Sequence, residues 1–315
     1  MPVFDDWLSA RLLIEKLDAA LTGQPVEATV LLLDDGSPTP PAAPYLSADL
    51  KNIRSVERLR LRRNLGHQRA IAIGLCFVRE QRPCDAVVVM DADGEDRPED
   101  VPRLIQRYSE LGGARVVFAE RTRRSESLSF RVCYQVYRVL HRALTGLAVK
   151  VGNFSILSRE HLAALSAVSE VWNHYAASVY KARLPVALLP TSRGTRLAGE
   201  SKLNFVSLCV HGLSAISVFA DTVGVRLMLG IGFLMFLSLG LVGLVVAVRL
   251  TTELAVPGWA TSAVGLLLII VLQMLTLVVG LTFSVLFNRN NLTFLPARDY
   301  QHFVGEVSTL YGPAR

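Results

Sequence analysis

The stretch Ala86-Val87-Val88-Val89-Met90-Asp91-Ala92-Asp93 decides how this chain of 315 residues is read. A short Val-rich run bounded by polar residues reads as a buried parallel strand, and the carboxyl ends of such strands are where open α/β sheets bind ligands. Asp91 and Asp93 are two residues apart, so in a strand they point the same way. In a loop they still lie close enough to share one hard cation, which takes oxygen ligands and usually a substrate phosphate as well. The triplet also reads as an ordinary turn, because Asp serves turns and helix caps well. A second acidic exit favours the first reading: Val30-Leu31-Leu32-Leu33 runs into Asp34-Asp35-Gly36-Ser37. Two such exits would face one crevice, and they suggest metal-assisted work on a phosphorylated ligand.

The rest of the composition is that of a membrane protein. The chain is 51% hydrophobic, and the excess is concentrated near the carboxyl end. Leu227 to Val248 and Leu254 to Asn288 contain no charged residue, and each is long enough as a helix to cross about 30 Å of hydrocarbon. Trp259 beside Pro257-Gly258 fits an interfacial anchor. Met1 to Ala20 carries Asp5, Asp6, Arg11, Glu15, Lys16 and Asp18, which is unlike a signal peptide. Arg289, Arg298 and Arg315 follow the second span, so both termini are expected in the cytoplasm, at the inner (plasma) membrane. The net charge of +6 fits attraction to acidic headgroups, and no nucleic-acid module is present. Cys76, Cys84, Cys133 and Cys209 lack metal-ligand spacing and read as reduced core thiols.

Before the spans, short apolar runs alternate with helical patterns, which predicts an α/β fold with a mostly parallel sheet and flanking helices. Strands are expected at Thr29 to Leu33, Val56 to Leu61, Ala86 to Met90, Val116 to Ala119, Asn153 to Leu157 and Pro185 to Leu189. Helices are expected at Trp7 to Leu21, Gln68 to Glu80, Pro98 to Leu111 and Leu128 to Leu144, with helical pieces from Arg159 to Lys181. Ser201 to Asp221 is either an amphipathic helix on the membrane or an ordinary domain helix. His67 lines a donor site or simply starts a helix. Glu120-Arg121 touches a phosphate or belongs to a solvated basic loop. His174 and His211 have no metal-partner spacing and read as structural.

The ordered set Asp34-Asp35-Gly36-Ser37, Arg63-Asn64-Leu65-Gly66, Asp91-Ala92-Asp93 with Pro98-Glu99, and Arg193 and Arg196 before Gly199-Glu200-Ser201-Lys202 resembles polyprenyl-phosphate glycosyltransferases. These are dolichol-phosphate-mannose-synthase-like members of glycosyltransferase family 2, with a GT-A fold. The resemblance covers most of residues 2–222, and a pair of carboxy-terminal spans also occurs in that family. It implies a GT-A domain over 1–200, a juxtamembrane amphipathic helix over 201–222, two transmembrane helices within 225–288 and a cytoplasmic tail over 289–315. It also implies an inverting, metal-dependent transfer of a sugar from a nucleotide-sugar donor to a polyprenyl phosphate on the cytoplasmic face. Asp34, Asp35, Asn64 and Gly66 would hold the nucleotide. Asp91 would contact the nucleotide or its metal, and Asp93 would bind Mg²⁺ or Mn²⁺ on the diphosphate. Arg193, Arg196 and Lys202 are then candidates for phosphate, since guanidinium forks suit phosphate oxygens. The partners implied are the donor, the lipid phosphate and the membrane, with a homo-oligomer left open.

Two departures from the family pattern matter. The family often has Asp where Asn153 stands in Val151-Gly152-Asn153-Phe154-Ser155, which weakens any general-base role there. A lipid phosphate is already an anion and needs positioning more than a base. The family also opens with an apolar strand, whereas Met1-Pro2-Val3-Phe4-Asp5-Asp6 begins inside the turn after it. The first strand is therefore expected to be missing, through a misplaced start or a real loss. The Asn153 departure leaves transfer to another lipid or glycan acceptor open, and the missing strand leaves open a catalytically inactive membrane scaffold. No Gln-x-x-Arg-Trp motif of processive polysaccharide synthases is present.

Overall fold

The computed structural model describes residues 1–46, 49–121, 128–147, 151–199, 205–252, 258–290 and 295–313. They form two compact units: Met1–Val136, Ala148–Val218 and Phe294–Arg315 make one, and Tyr137–Leu147 with Phe219–Thr293 make the other.

The first unit follows the alternation of its apolar runs. Strands β1 (Pro2–Val3), β2 (Ala28–Asp34) and β3 (Ile53–Leu61) alternate with helices α1 (Trp7–Ala20) and α2 (His67–Gln81). Next come β4 (Ala86–Val89), α3 (Val101–Glu110), β5 (Val116–Arg121) and α4 (Leu128–Thr145). β6 (Ser155–Ser158), α5 (Arg159–Ser166), α6 (Tyr175–Lys181), β7 (Val186–Thr191) and α7 (Phe205–Ser217) follow. After the long helices α8 (Ala220–Thr251) and α9 (Trp259–Asn290), the chain returns as α10 (Pro296–Asp299) and β8 (Val304–Tyr311).

The strands are ordered β1-β2-β3-β8 and β4-β6-β5-β7. Pairings β1–β2, β2–β3 and β5–β7 are parallel, whereas β3–β8, β4–β6 and β5–β6 are antiparallel. The sheets are therefore mixed where a mostly parallel one was expected. The reason is that β6 enters between β4 and β5 in the opposite sense, and the carboxy-terminal β8 runs back along β3. Of the first strand two residues are present, against seven in β2. Pro2 and Val3 align with Leu33 and Asp34, and the ladder continues through Leu33 N–H to Met1 O and Asp35 N–H to Val3 O, each at 2.8 Å.

Apolar faces close around these sheets. Leu13, Ile14 and Leu17 of α1 meet Val30 and Leu32 of β2, while Ile71 and Leu75 of α2 join Val89 and Phe118. Each such fully buried aliphatic side chain contributes about 1.5–3 kcal/mol. Gly74 lets α2 come down onto β2, since a Cβ there would lie 2.5 Å from Leu33 Cδ1. Cys76 is buried and Cys84 half-buried, both free, and Cys76 behaves as the expected core thiol. The side chains of Cys133 and Cys209 lie outside the described residues.

The end of the chain carries structure that its sequence did not announce. Tyr300 is buried and donates to Glu80 at 2.9 Å, Phe303 meets Trp172 at 5.1 Å between ring centroids, and Leu50 N–H donates to Tyr311 Oη at 2.9 Å. These contacts fix β8 to the edge of β3. Another fixed element is α7, whose His211 ring lies 4.7 Å from that of His174 and 5.4 Å from that of His67.

Burial lowers the His211 pKa to about 4, with the His67 charge acting the same way. A histidine depressed on folding binds fewer protons in the native state, so stability falls as pH drops from about 6.5 toward 4. Thermal melting at pH 5 is expected below that at pH 7, and His211→Asn should remove part of that difference. An unchanged pH dependence in the variant would assign it to other groups.

In the second unit, α8 and α9 form an antiparallel pair. A Cβ on Gly224 would lie 2.4 Å from Val285 Cγ2, and Thr282 Oγ1 donates to Met228 Sδ at 3.1 Å. Ala220–Thr251 and Trp259–Phe287 are each long and apolar enough to cross a membrane. Arg226, at the start of α8, donates to Ala143 O at 2.8 Å, satisfying an end carbonyl of α4.

Candidate active site

The two acidic exits differ in construction. Asp34 ends β2, fully buried, and accepts Arg58 Nε and Ser37 N–H, both at 2.8 Å. The Arg58 guanidinium also lies over Trp7, 5.4 Å from the ring centroid. Asp35 gives one oxygen to Leu65 N–H at 2.7 Å and the other to Gly66 N–H at 2.8 Å. Those two bonds clamp the second motif onto the first. Burial raises the Asp35 pKa, opposed by the same two amides. Gly36 completes the corner at φ +74°, where a Cβ would meet Asn64 N at 2.7 Å, so only glycine fits. Asn64 itself is exposed.

The other exit gathers charge. Asp91 follows β4 and Met90, and its N–H donates to Asp96 Oδ2 at 2.9 Å. Asp96 is buried and its Oδ1 takes Arg121 Nη2 at 2.9 Å. Asp93 accepts Glu95 N–H at 2.9 Å on one oxygen and Arg196 Nη1 at 3.2 Å on the other. Arg196 bonds Asp6 through its second nitrogen at 2.8 Å, and Arg193 Nε donates to Glu95 at 3.0 Å. The loop after β7 lies along the acidic loop, with Gly194 N–H to Glu95 O and Leu197 N–H to Asp93 O, both at 2.9 Å.

Burial is the first cause of the electrostatic state of this loop. It raises the pKa of Asp91, with the Asp93 charge adding to it and the Asn153 side chain opposing. Asp93 is raised by burial too. Asp96 is pushed up to about 7 by burial and by Asp91, against the pull of Arg121. Such a loop gains from any added positive charge. Asp91 and Asp93 supply hard oxygen donors, and among the described residues no group of three or more His, Cys, Asp or Glu is arranged to hold a metal alone. Two carboxylates suit a divalent cation whose remaining ligands are water and substrate phosphate.

The fold thus brings Asp91, Asp93 and Arg196 together, with Arg193 one residue away on Glu95. Asp34, Asp35 and Gly66 build the neighbouring exit, and Lys202 lies outside the described residues. Asp6, Glu95 and Asp96 were not read as site residues from sequence. The acidic run Asp91 to Asp96 carried a signal for two of them; Asp6 carried none, because its partner is 190 residues away. Arg121, left open between phosphate contact and solvated loop, is the counter-ion of Asp96.

A glycosyl transferase family 2 model matches residues 1–165, the stretch that carries both acidic exits. The chain belongs to that family. This glycosyltransferase is similar to the uncharacterized glycosyltransferase YkcC of Bacillus subtilis strain 168, 26% identical over 277 residues, or 84% of this chain and 80% of that protein. It is also similar to the undecaprenyl-phosphate 4-deoxy-4-formamido-L-arabinose transferase of Salmonella paratyphi A. Here identity is 29% over 161 residues, 51% of this chain and 47% of that protein. The match to the Salmonella enzyme therefore spans about half the length of each. Family 2 glycosyltransferases are generally divalent-metal dependent.

Proposed function

We propose that this glycosyltransferase moves a sugar, with inversion and with a divalent cation, from a nucleotide-sugar donor to a polyprenyl phosphate at the cytoplasmic face of the inner membrane. The observation that carries this reading is the charged loop Asp91 to Asp96 at a strand exit, with Arg121, Arg193 and Arg196 around it, in a chain with two membrane-length helices. The acceptor in the printed name of the Salmonella relative supports the lipid-phosphate class. The residues before α8 and after α9 belong to one compact unit, which supports a double crossing with both flanks on one side.

Mg²⁺ or Mn²⁺ held by Asp91 and Asp93 would supply Lewis-acid stabilisation of the departing diphosphate. The chain's own residues do the rest. Asp34 and Asp35 fix the two-loop corner against which the nucleotide would rest. Arg193 and Arg196 present forks of N–H donors suited to phosphate oxygens. Asn153 cannot act as a base, and a phosphate acceptor needs none: its anionic oxygen displaces the nucleoside diphosphate in one step, which inverts the anomeric carbon. Positioning and charge stabilisation are what remains for the protein to provide.

Membranes containing the full chain, incubated with polyprenyl phosphate and a panel of radiolabelled nucleotide sugars, should give an organic-soluble product that disappears with EDTA and returns with Mn²⁺ or Mg²⁺. Label in another lipid or glycan would move the acceptor class. No product with any donor would favour an inactive scaffold.

A further inference from the structure

Four segments distant in sequence meet through buried amides behind Asp91. Tyr175 N–H, at the start of α6, donates to Gln68 Oε1 at 2.7 Å. Gln68 Nε2, in the first turn of α2, donates to Asn153 Oδ1 at 2.9 Å, and Asn153 Nδ2 donates to Asp91 Oδ1 at 3.4 Å. Tyr175, Gln68 and Asn153 are all buried.

The direction of this chain is fixed at its far end. A backbone N–H can only donate, so the Gln68 atom facing Tyr175 must be oxygen and its NH₂ must face Asn153. The Asn153 atom facing Gln68 must then be oxygen as well. Its NH₂ is left pointing at Asp91. Neither amide can flip without burying donor against donor or acceptor against acceptor, at the cost of an unsatisfied polar group.

We infer that Gln68 and Asn153 form a polarised amide relay that starts at the Tyr175 N–H and positions the Asp91 carboxylate for a divalent cation. This rests on the metal reading above. Gln68 is a positioning residue here, two shells away from any ligand. The relay engages one Asp91 oxygen, Oδ1, and leaves the other outside the relay. It also accounts for an amide at position 153. An aspartate would accept from Gln68 and then face Asp91 with a like charge, whereas Asn converts the same hydrogen bond into a donor.

The test uses the full-length protein in detergent, with Mn²⁺ alone as the probe, its binding followed by the electron paramagnetic resonance of the free ion, and thermal melting recorded in parallel. Gln68→Met removes the orienting amide and Asn153→Leu removes the donor itself. Both are expected to weaken Mn²⁺ binding by about ten- to a hundredfold, the usual effect of losing an outer partner of a ligand. Phe118→Leu is the control for general loosening, since Phe118 lies against Tyr175 with ring centroids 6.0 Å apart and has no polar link to the relay. It should melt at a lower temperature yet bind Mn²⁺ as the wild type does. Wild-type affinity in Gln68→Met would overturn the relay while leaving the metal reading intact. Equal weakening in Phe118→Leu would also overturn it, by showing that any loosening of this core suffices. Absence of Mn²⁺ binding in the wild-type protein would instead remove the metal reading on which the relay depends.

Discussion

Asp91→Asn is expected to lower sugar transfer by about a thousandfold while leaving the fold intact. The substitution keeps the size of the side chain and an oxygen for Asn153 Nδ2, and the bond from the residue 91 N–H to Asp96 is untouched. What it removes is the charge that would hold a cation at the leaving diphosphate. Such stabilisation amounts to several kcal/mol, and each 1.36 kcal/mol is about tenfold in rate. Melting should stay level or rise slightly, because the native state already disfavours the ionised form of this buried carboxyl. The check is turnover with a labelled donor beside a melting curve. Transfer within tenfold of wild type would mean that Asp91 does not serve the reacting phosphates.

Arg121→Met should produce the largest loss of stability in the unit that carries the sheets. Asp96 is 3% exposed, and Arg121 is its ion-pair partner. Removing one member of such a pair costs about 3–5 kcal/mol when the other must stay charged. The pH dependence gives the signature. The Asp96 pKa is raised above its ordinary value, to about 7, even with Arg121 present. A carboxyl raised on folding holds its proton more tightly in the native state, so its contribution is complete at low pH and is lost as pH rises through the folded value. Without Arg121 that value rises further, so the loss should be larger at pH 8 than at pH 5. Adding Asp96→Asn should recover much of the stability, because replacing both partners leaves no buried charge. A single variant as stable as wild type at pH 8 would contradict this account.

The parts legible in the sequence were those written in local patterns. Val30 to Leu33 and Val87 to Met90 announced strands because they are short apolar runs whose ends, Leu32, Leu33, Val89 and Met90, are buried, and the glycine and acidic residues after them announced exits. The uncharged runs announced the two long helices through their length alone. The sequence was silent wherever the partner lay far away. Nothing near Asp34 points to Arg58, and nothing near Asp93 points to Arg196, 103 residues on. Strand β8 escaped notice because Gly305, Glu306, Val307 and Thr309 are exposed. An edge strand with solvent on much of its surface shows no clean apolar alternation. Gln68 looked like one polar residue at a helix start, and Asn153 like a departure from a pattern. Only their meeting behind Asp91 gives either a task.

The pairing of Ile53–Leu61 with Val304–Tyr311 also sets a timetable. Both apolar helices lie between these two strands, so the ribosome must make some 250 residues after β3 before its partner exists, on the order of tens of seconds at ordinary elongation rates. Throughout that interval β3 offers an open row of backbone donors and acceptors, the kind of edge that recruits stray strands. The catalytic half of the nascent protein can acquire its core early, but it can acquire its last strand only after the second hydrophobic helix has been synthesised. Completion of the sheet is thereby tied to synthesis of the membrane segment, and a chain halted between β3 and β8 is left with an adhesive border.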